Sequence, residues 1–267
     1  MQPAVAFWSG GKDSGLALDR VRRSGAYEVR ALITTVNAEF RRVSMHGVRE
    51  ELIDRQSQAI GIAAHKMYVA GRGSNDDYVP ALCAALESFR VRGITNVIFG
   101  DIFLEDLRRW RESLLAGLGM TGVFPLWKED TRALAREFID RRFKAIVCCT
   151  NDAHLAQSDV GRALDAAFFR ELPAGVDPCG ENGEYHSFVY DGPIFRRPVA
   201  FEVGETVYRP LVPAALADNS EPGPAASSSV VIPIPAAAGP TATKGFWFVD
   251  LLATNPASSS SPNPVNT

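Results

Sequence analysis

Ala4-Val5-Ala6-Phe7-Trp8-Ser9-Gly10-Gly11-Lys12-Asp13-Ser14-Gly15-Leu16-Ala17-Leu18 is the stretch whose reading decides the fold. Residues 3–8 form an apolar run short enough for a buried strand, and the run stops at a glycine pair. From Ser14 to Arg23 the apolar residues Leu16, Ala17, Leu18 and Val21 share a helical face. Strand, glycine turn and helix therefore follow one another without a gap. Glycines at such a junction let backbone N–H groups converge on an anion, and the helix N-terminus adds partial positive charge. Ser9 and Ser14 can donate hydroxyls to the same oxygens, and Lys12 supplies a point charge. The string predicts a phosphate cradle built from Ser9, Gly10, Gly11, Lys12, Asp13 and Ser14. Two commoner nucleotide loops do not fit. A GxxxxGK[ST] loop needs glycine where Ala6 stands and Ser or Thr where Asp13 stands, and a GxGxxG loop is broken by the spacing Gly10, Gly11, Gly15.

Outward from the cradle the alternation continues. Glu28–Val36 reads as a strand, Gly47–Ile60 as an amphipathic helix, Ile62–Val69 as a strand and Asp77–Arg92 as a helix. Asn96–Phe99 reads as a strand ending at Gly100-Asp101, and Leu104–Leu118 as a helix with Trp110 in its packing. Gly122–Leu126, Thr131–Arg141 and Lys144–Thr150 continue as strand, helix and strand, the last placing Cys148 and Cys149 in a buried run. The expected class is α/β, a doubly wound, mostly parallel sheet whose ligand sits at the carboxyl ends of the strands. Residues 1–150 form the expected ATP-binding domain, and residues 151–216, acid- and glycine-rich, then β-like, a smaller α+β substrate subdomain. Residues 217–267 are rich in Ala, Ser and Pro and read as a low-complexity, disordered tail, interrupted by the apolar island Gly245–Leu252, which is either a sticky segment without function or one that docks on a partner or on the domain itself.

Hydrophobic residues make up 46% of the 267, enough for a core without staples. The cysteines, Cys83, Cys148, Cys149 and Cys179, have no zinc spacing. No secretory pattern opens the sequence and no apolar stretch is long enough to span a bilayer, so a cytoplasmic, membrane-free protein is expected. A net charge of −3 argues against a nucleic-acid partner. His65 and His154 sit in no motif and are read as structural.

The string Ser9–Ser14 resembles the PP-motif of the PP-loop ATP pyrophosphatase (adenine nucleotide alpha hydrolase) superfamily, which has a HUP-like fold. Met45-His46-Gly47-Val48, Gly100-Asp101-Ile102-Phe103 and Gly180-Glu181-Asn182-Gly183-Glu184-Tyr185-His186-Ser187-Phe188 follow in the order found in diphthine-ammonia ligases. The likeness spans roughly residues 3–210. It implies a ligase that adenylates a substrate carboxylate with ATP, releases pyrophosphate and lets ammonia displace AMP to form an amide. His46, Gly100 and Asp101 would join the cradle in binding nucleotide, and Asp101 or Asp13 would hold Mg2+. Glu181, Asn182, Gly183 and Glu184 would bind substrate. Lys12, Glu181, Glu184 and His186 would be catalytic, the acids holding ammonium or taking its proton. The partners implied are ammonia and a carboxylate on a small molecule or a modified protein side chain. An arginine-rich, lysine-poor composition is compatible with a GC-rich, bacterial genome, where the acceptor would be something other than diphthine. Two alternatives stay open: a tRNA-modifying enzyme of the same superfamily and an ATP-binding regulatory protein without turnover.

Overall fold

The computed structural model describes residues 1–70, 75–211 and 243–254. Sheet A is built from β1 (Gln2–Phe7), β2 (Tyr27–Asn37), β3 (Arg42–Val43), β4 (Ala64–Val69), β5 (Asn96–Ile98) and β6 (Thr121–Val123). β2 and β5 flank β1, β4 pairs the far edge of β2 and β6 that of β5, all parallel, while the two-residue β3 runs antiparallel beside the end of β2. The chain thus winds one way from β1 and then returns to wind the other way from β5. Doubly wound sheets bind ligands beyond the carboxyl ends of the strands at such a reversal, here those of β1 and β5. Ser9-Gly10-Gly11 and Gly100-Asp101 are the residues that follow those two ends.

Side-chain alternation along the strands sorts the core into two layers. Val5, Ala31 and Ile33 face Leu82, Leu86 and Phe89 of α3 (Asn75–Arg90) and Leu115 of α4 (Glu105–Gly117). Ala4, Ala6 and Leu32 face the opposite side, with Leu16, Leu18 and Val21 of α1 (Lys12–Ser24) and Leu52 and Ile53 of α2 (Glu50–Ile60). α1 and α2 end at Gly25 and Gly61, whose φ values of 65° and 77° close the last turn in the left-handed region where glycine is favoured. α5 (Thr131–Asp140) starts at Asp130, whose carboxylate accepts from the Ala133 N–H.

Sheet B is antiparallel, in the order β8 (Tyr185–Asp191), β7 (Lys144–Asn151), β10 (Gly245–Ala253), β9 (Phe201–Pro210), with the short α6 (Ala166–Glu171) beside it. It corrects two expectations. The strand at Lys144–Thr150 belongs here, paired antiparallel with β8 and β10, and does not extend the parallel sheet. Its apolar run looks the same in either setting, because a strand covered on both faces has no alternation to betray its neighbours. The apolar island placed in the tail is a strand in the interior of sheet B, with Val249 and Leu251 fully buried. The rest of the expected tail lies outside the described residues. Phe188, Val189 and Ile146 of sheet B share the core layer of α1, so α1 is packed between the two sheets.

Candidate active site

Gly10 turns at φ 80° directly after β1, and Gly11 caps α1 with extended backbone. A second sheet holds the turn from outside. The Val189 N–H donates to the Gly10 carbonyl at 2.8 Å, and the Lys12 N–H donates to Ser187 Oγ at 3.1 Å. Buried Gln56 adds a brace: its Nε2 donates to the Gly10 and Val189 carbonyls, and its Oε1 accepts from Trp8 Nε1 at 2.8 Å. Ser9 Oγ lies 3.3 Å from Ser14 Oγ and accepts from the Gly11 N–H. A Cβ on Gly100 would stand 3.0 Å from the backbone of Asp13 and Ser14, so glycine there lets the loop after β5 close on the start of α1.

Lys12 is buried, with Nζ 2.8 Å from Asp13 Oδ2, hydrogen-bonded to the Cys179 carbonyl and 5.2 Å from the Tyr185 ring centroid. Burial alone would lower its pKa, but Asp13, Tyr185 and Cys179 together outweigh burial and hold it above the ordinary lysine value. Its ammonium is therefore a fixed positive charge held between the start of α1 and the acidic loop.

The acidic loop meets the cradle through Glu181. Its Oε1 accepts from the Ile102 N–H at 2.8 Å, tying the loop to the residues after Asp101. Burial pushes its carboxyl up to about 8, helped by the negative charges of Asp13 and Asp101 and opposed by the Ile102 hydrogen bond and Lys12. Asp101 pairs with Arg111, Oδ2 to Nε at 2.7 Å. Although Arg111 Nε and Asp101 Oδ2 are poorly angled for a hydrogen bond, the second contact, Nη2 to Oδ1 at 3.3 Å, makes this a two-point ion pair.

Glu184 is fully buried and turned into its own loop. Oε1 accepts from the Asp177 N–H and from Asn182 Nδ2, and Oε2 accepts from the Asn182 N–H, each at 3.0 Å. Both oxygens are thus engaged in shaping residues 177–184, where Gly180 and Gly183 turn at positive φ. Asn182 is exposed, with its side-chain N–H given to Glu184. Glu184→Gln replaces one acceptor with a donor facing N–H groups. It is expected to cost about 1–3 kcal/mol, read as a lower melting temperature together with faster amide exchange at Asp177 and Asn182.

His46 and His186 stand beside the cradle with ring centroids 4.6 Å apart. A Cβ on Gly11 would lie 2.8 Å from His46 Nε2. Burial, with the Lys12 charge, lowers His46 to about 4, while its contact with the Ser44 carbonyl opposes the shift. His186 is lowered further by burial and by His46 and Lys12, and its buried Nε2 has no hydrogen-bond partner. Two neutral imidazoles therefore stand side by side next to the cradle. The structure brings together Ser9–Ser14, His46, Gly100, Asp101, Glu181 and His186, whereas Glu184 is withdrawn into the loop. Ser187, Gln56 and Asp177 were missed as supports. Gln56 alone left a signal, a polar residue on the apolar stripe of Leu52, Ile53 and Ile60.

The diphthamide synthase N-terminal domain model matches residues 1–122, and the diphthamide synthase C-terminal domain model matches residues 130–210. The chain belongs to the diphthamide synthase family. The diphthine–ammonia ligase of Danio rerio is 26% identical over 178 residues, 60% of this chain and 69% of the fish protein. That of Homo sapiens is 25% identical over 225 residues, 76% of this chain and 84% of the human protein. Within this family member, the matched segments bring together the cradle, the 42–49 loop and the acidic loop. No helix among the described residues is long and apolar enough to cross a membrane.

Proposed function

We propose that the protein is an ATP-dependent ligase that joins ammonia to a substrate carboxylate, with diphthine the acceptor suggested by the names of its relatives. The observation that carries the reading is the buried Lys12 ammonium, fixed by Asp13 directly after the glycine turn that follows β1, at the point where the sheet order reverses between β1 and β5. A carboxylate oxygen attacks the α-phosphorus of ATP, the bond to the bridging α–β oxygen breaks, and pyrophosphate leaves with that oxygen. Lys12 and the N–H groups of the turn neutralise the charge gathering on the leaving group. The ammonia lone pair then attacks the acyl carbon, the acyl–oxygen bond breaks, and AMP departs.

Glu181 is the acid–base group of the second step. Its value of about 8 lets it take a proton near neutral pH, and its Oε2 makes no hydrogen bond among the described residues. The two neutral imidazoles of His46 and His186 flank the nucleotide without adding charge. Magnesium is held through one or two carboxylates plus phosphate oxygens and water. Asp13 and Asp101 are the hard-oxygen donors for it; both lie close enough to Glu181 to raise its value, and each is paired with a cation, Lys12 or Arg111. When bound there, the ion supplies further neutralisation of the pyrophosphate.

The test is exchange of labelled pyrophosphate into ATP with a diphthine-bearing protein or other carboxylic acids as acceptors. Carboxylate-dependent exchange, followed on adding ammonia by equal yields of AMP and amide, is expected. Formation of ADP and orthophosphate in its place would overturn the proposal.

A further inference from the structure

β10 lies beyond the residues matched by either family domain, yet it forms the interior of sheet B and reaches across to the His46 loop. That loop is narrow. Arg42 and Arg49 bridge at its base, the Val43 N–H donates to the Val48 carbonyl at 2.8 Å, and Met45 and Gly47 turn at φ 64° and 68°. His46 is at the tip, and within the loop its ring is tied only by the 3.4 Å contact of Nδ1 with the Ser44 carbonyl. Something outside the loop must set its angle to the cradle.

β10 supplies that support at two points. The Phe248 ring closes on Gly47, with Cδ1 2.6 Å from where a Cβ would stand, so the loop is pressed against the strand. Two residues on, Asp250 accepts from both arginines at the base: Arg42 Nη1 and Arg49 Nε at 2.9 Å each, and Arg49 Nη2 at 2.6 Å. Arg42 Nη1 also donates to the Gly47 carbonyl at 2.8 Å, which passes the anchor on to the tip. Arg49, then Arg42, hold the Asp250 carboxyl down at about 2 against the opposing effect of burial, so the anchor stays charged at any working pH.

We propose that Asp250, with Phe248 beside it, is a positioning residue that fixes the 42–49 loop so that His46 lies over the Gly10–Lys12 backbone when nucleotide is bound. The inference rests on the cradle being the nucleotide site, as in the reading above. The titratable groups that act on the His46 ring are Lys12 from α1 and His186 from β8, while Arg42, Arg49 and Asp250 face one another at the base of the loop. Burial, the Ser44 carbonyl and Lys12 set the His46 value, so losing the Asp250 charge alone would leave it unmoved. Loosening the loop admits water and raises it toward the ordinary imidazole value. An upward shift against none lets one measurement separate a positioning role from a mere loss of charge.

The experiment uses the full-length chain and its Asp250→Asn, Asp250→Glu and Phe248→Ala variants. Imidazole titrations are followed by NMR, binding of α,β-methylene-ATP by calorimetry, and turnover by amide yield. Asp250→Asn is expected to raise the dissociation constant of the analogue and the KM for ATP about tenfold while sparing kcat, with the His46 titration moving upward and Asp250→Glu restoring part of both. His46→Ala and His46→Ala/Asp250→Asn should bind the analogue equally. An unmoved or downward His46 titration, or additive weakening in the double variant, overturns the positioning role. Absence of analogue binding by the unaltered protein would instead strike the nucleotide reading, leaving the His46 titration to decide the positioning role on its own.

Discussion

Lys12→Met is expected to lower AMP formation about a thousandfold, in the range found when one preorganised charge-stabilising donor is removed from an active site. The size follows from its fixed setting. Nζ is held by Asp13, the Cys179 carbonyl and the Tyr185 ring inside the protein, so its charge is neither diluted by water nor free to wander as the leaving phosphates gain charge. Arginine should rescue little, since its planar fork cannot enter a space shaped for a compact ammonium. The pH profile of the residual amide formation supplies a second reading. Lys12 lowers the Glu181 value, so removing the cation leaves Asp13 and Asp101 to push it above its present value of about 8. Because Glu181 must be deprotonated to take a proton from ammonium, the rising limb of the profile should move to higher pH in the variant. Asp13 also loses its partner. A Lys12→Met/Asp13→Asn variant should therefore regain stability without regaining turnover. Near-normal AMP yield from Lys12→Met, checked by single-turnover assay, would remove the ammonium from the mechanism.

The cradle was legible because its parts are contiguous. Strand periodicity, glycines, lysine and helix periodicity follow one another within about fifteen residues, so local chemistry alone orders them. The split between Glu181 and Glu184 was not legible. Both acids sit in one glycine-rich loop, and only the fold reveals that one reaches across to the Ile102 N–H while the other turns inward to Asp177 and Asn182. The Asp101–Arg111 ion pair was not legible either, because Arg111 lies ten residues on, along α4, and only the fold turns it back to Asp101. Gln56 lay in view as a polar residue on an apolar stripe, but its bonds to Trp8, Gly10 and Val189 join three separate elements. The β10 segment failed for a related reason. Phe246-Trp247-Phe248-Val249 has strong strand propensity, yet its flanks are poor in core residues, and its partners β7 and β9 lie far back along the chain.

That last error sets up the largest expected effect on stability. The composition of residues 217–267 predicts that deletion after Leu216 is harmless; the structure predicts the reverse. Deletion removes β10, and with it the burial of Val249 and Leu251, together about 3–6 kcal/mol. It also strips β9 of its only partner among the described strands and bares the β7 edge at Cys149–Asn151. Against a typical total of about 5–15 kcal/mol, the loss is a large fraction, and two unpaired strand edges invite association between chains. The truncated protein is expected to melt about 10–20 °C lower and to shift toward aggregates on size-exclusion chromatography. A peptide covering residues 243–254, added in trans, should recover part of the lost melting temperature, because most of its contacts are with β7, β9 and the arginines of the 42–49 loop. The same peptide with Asp250→Asn should rescue less, since Arg42 and Arg49 then lose their shared carboxylate. A truncated chain that melts within about 2 °C of the full-length protein would mean that β10 contributes less than roughly 1 kcal/mol, and the interior place of this strand in sheet B would then be wrong.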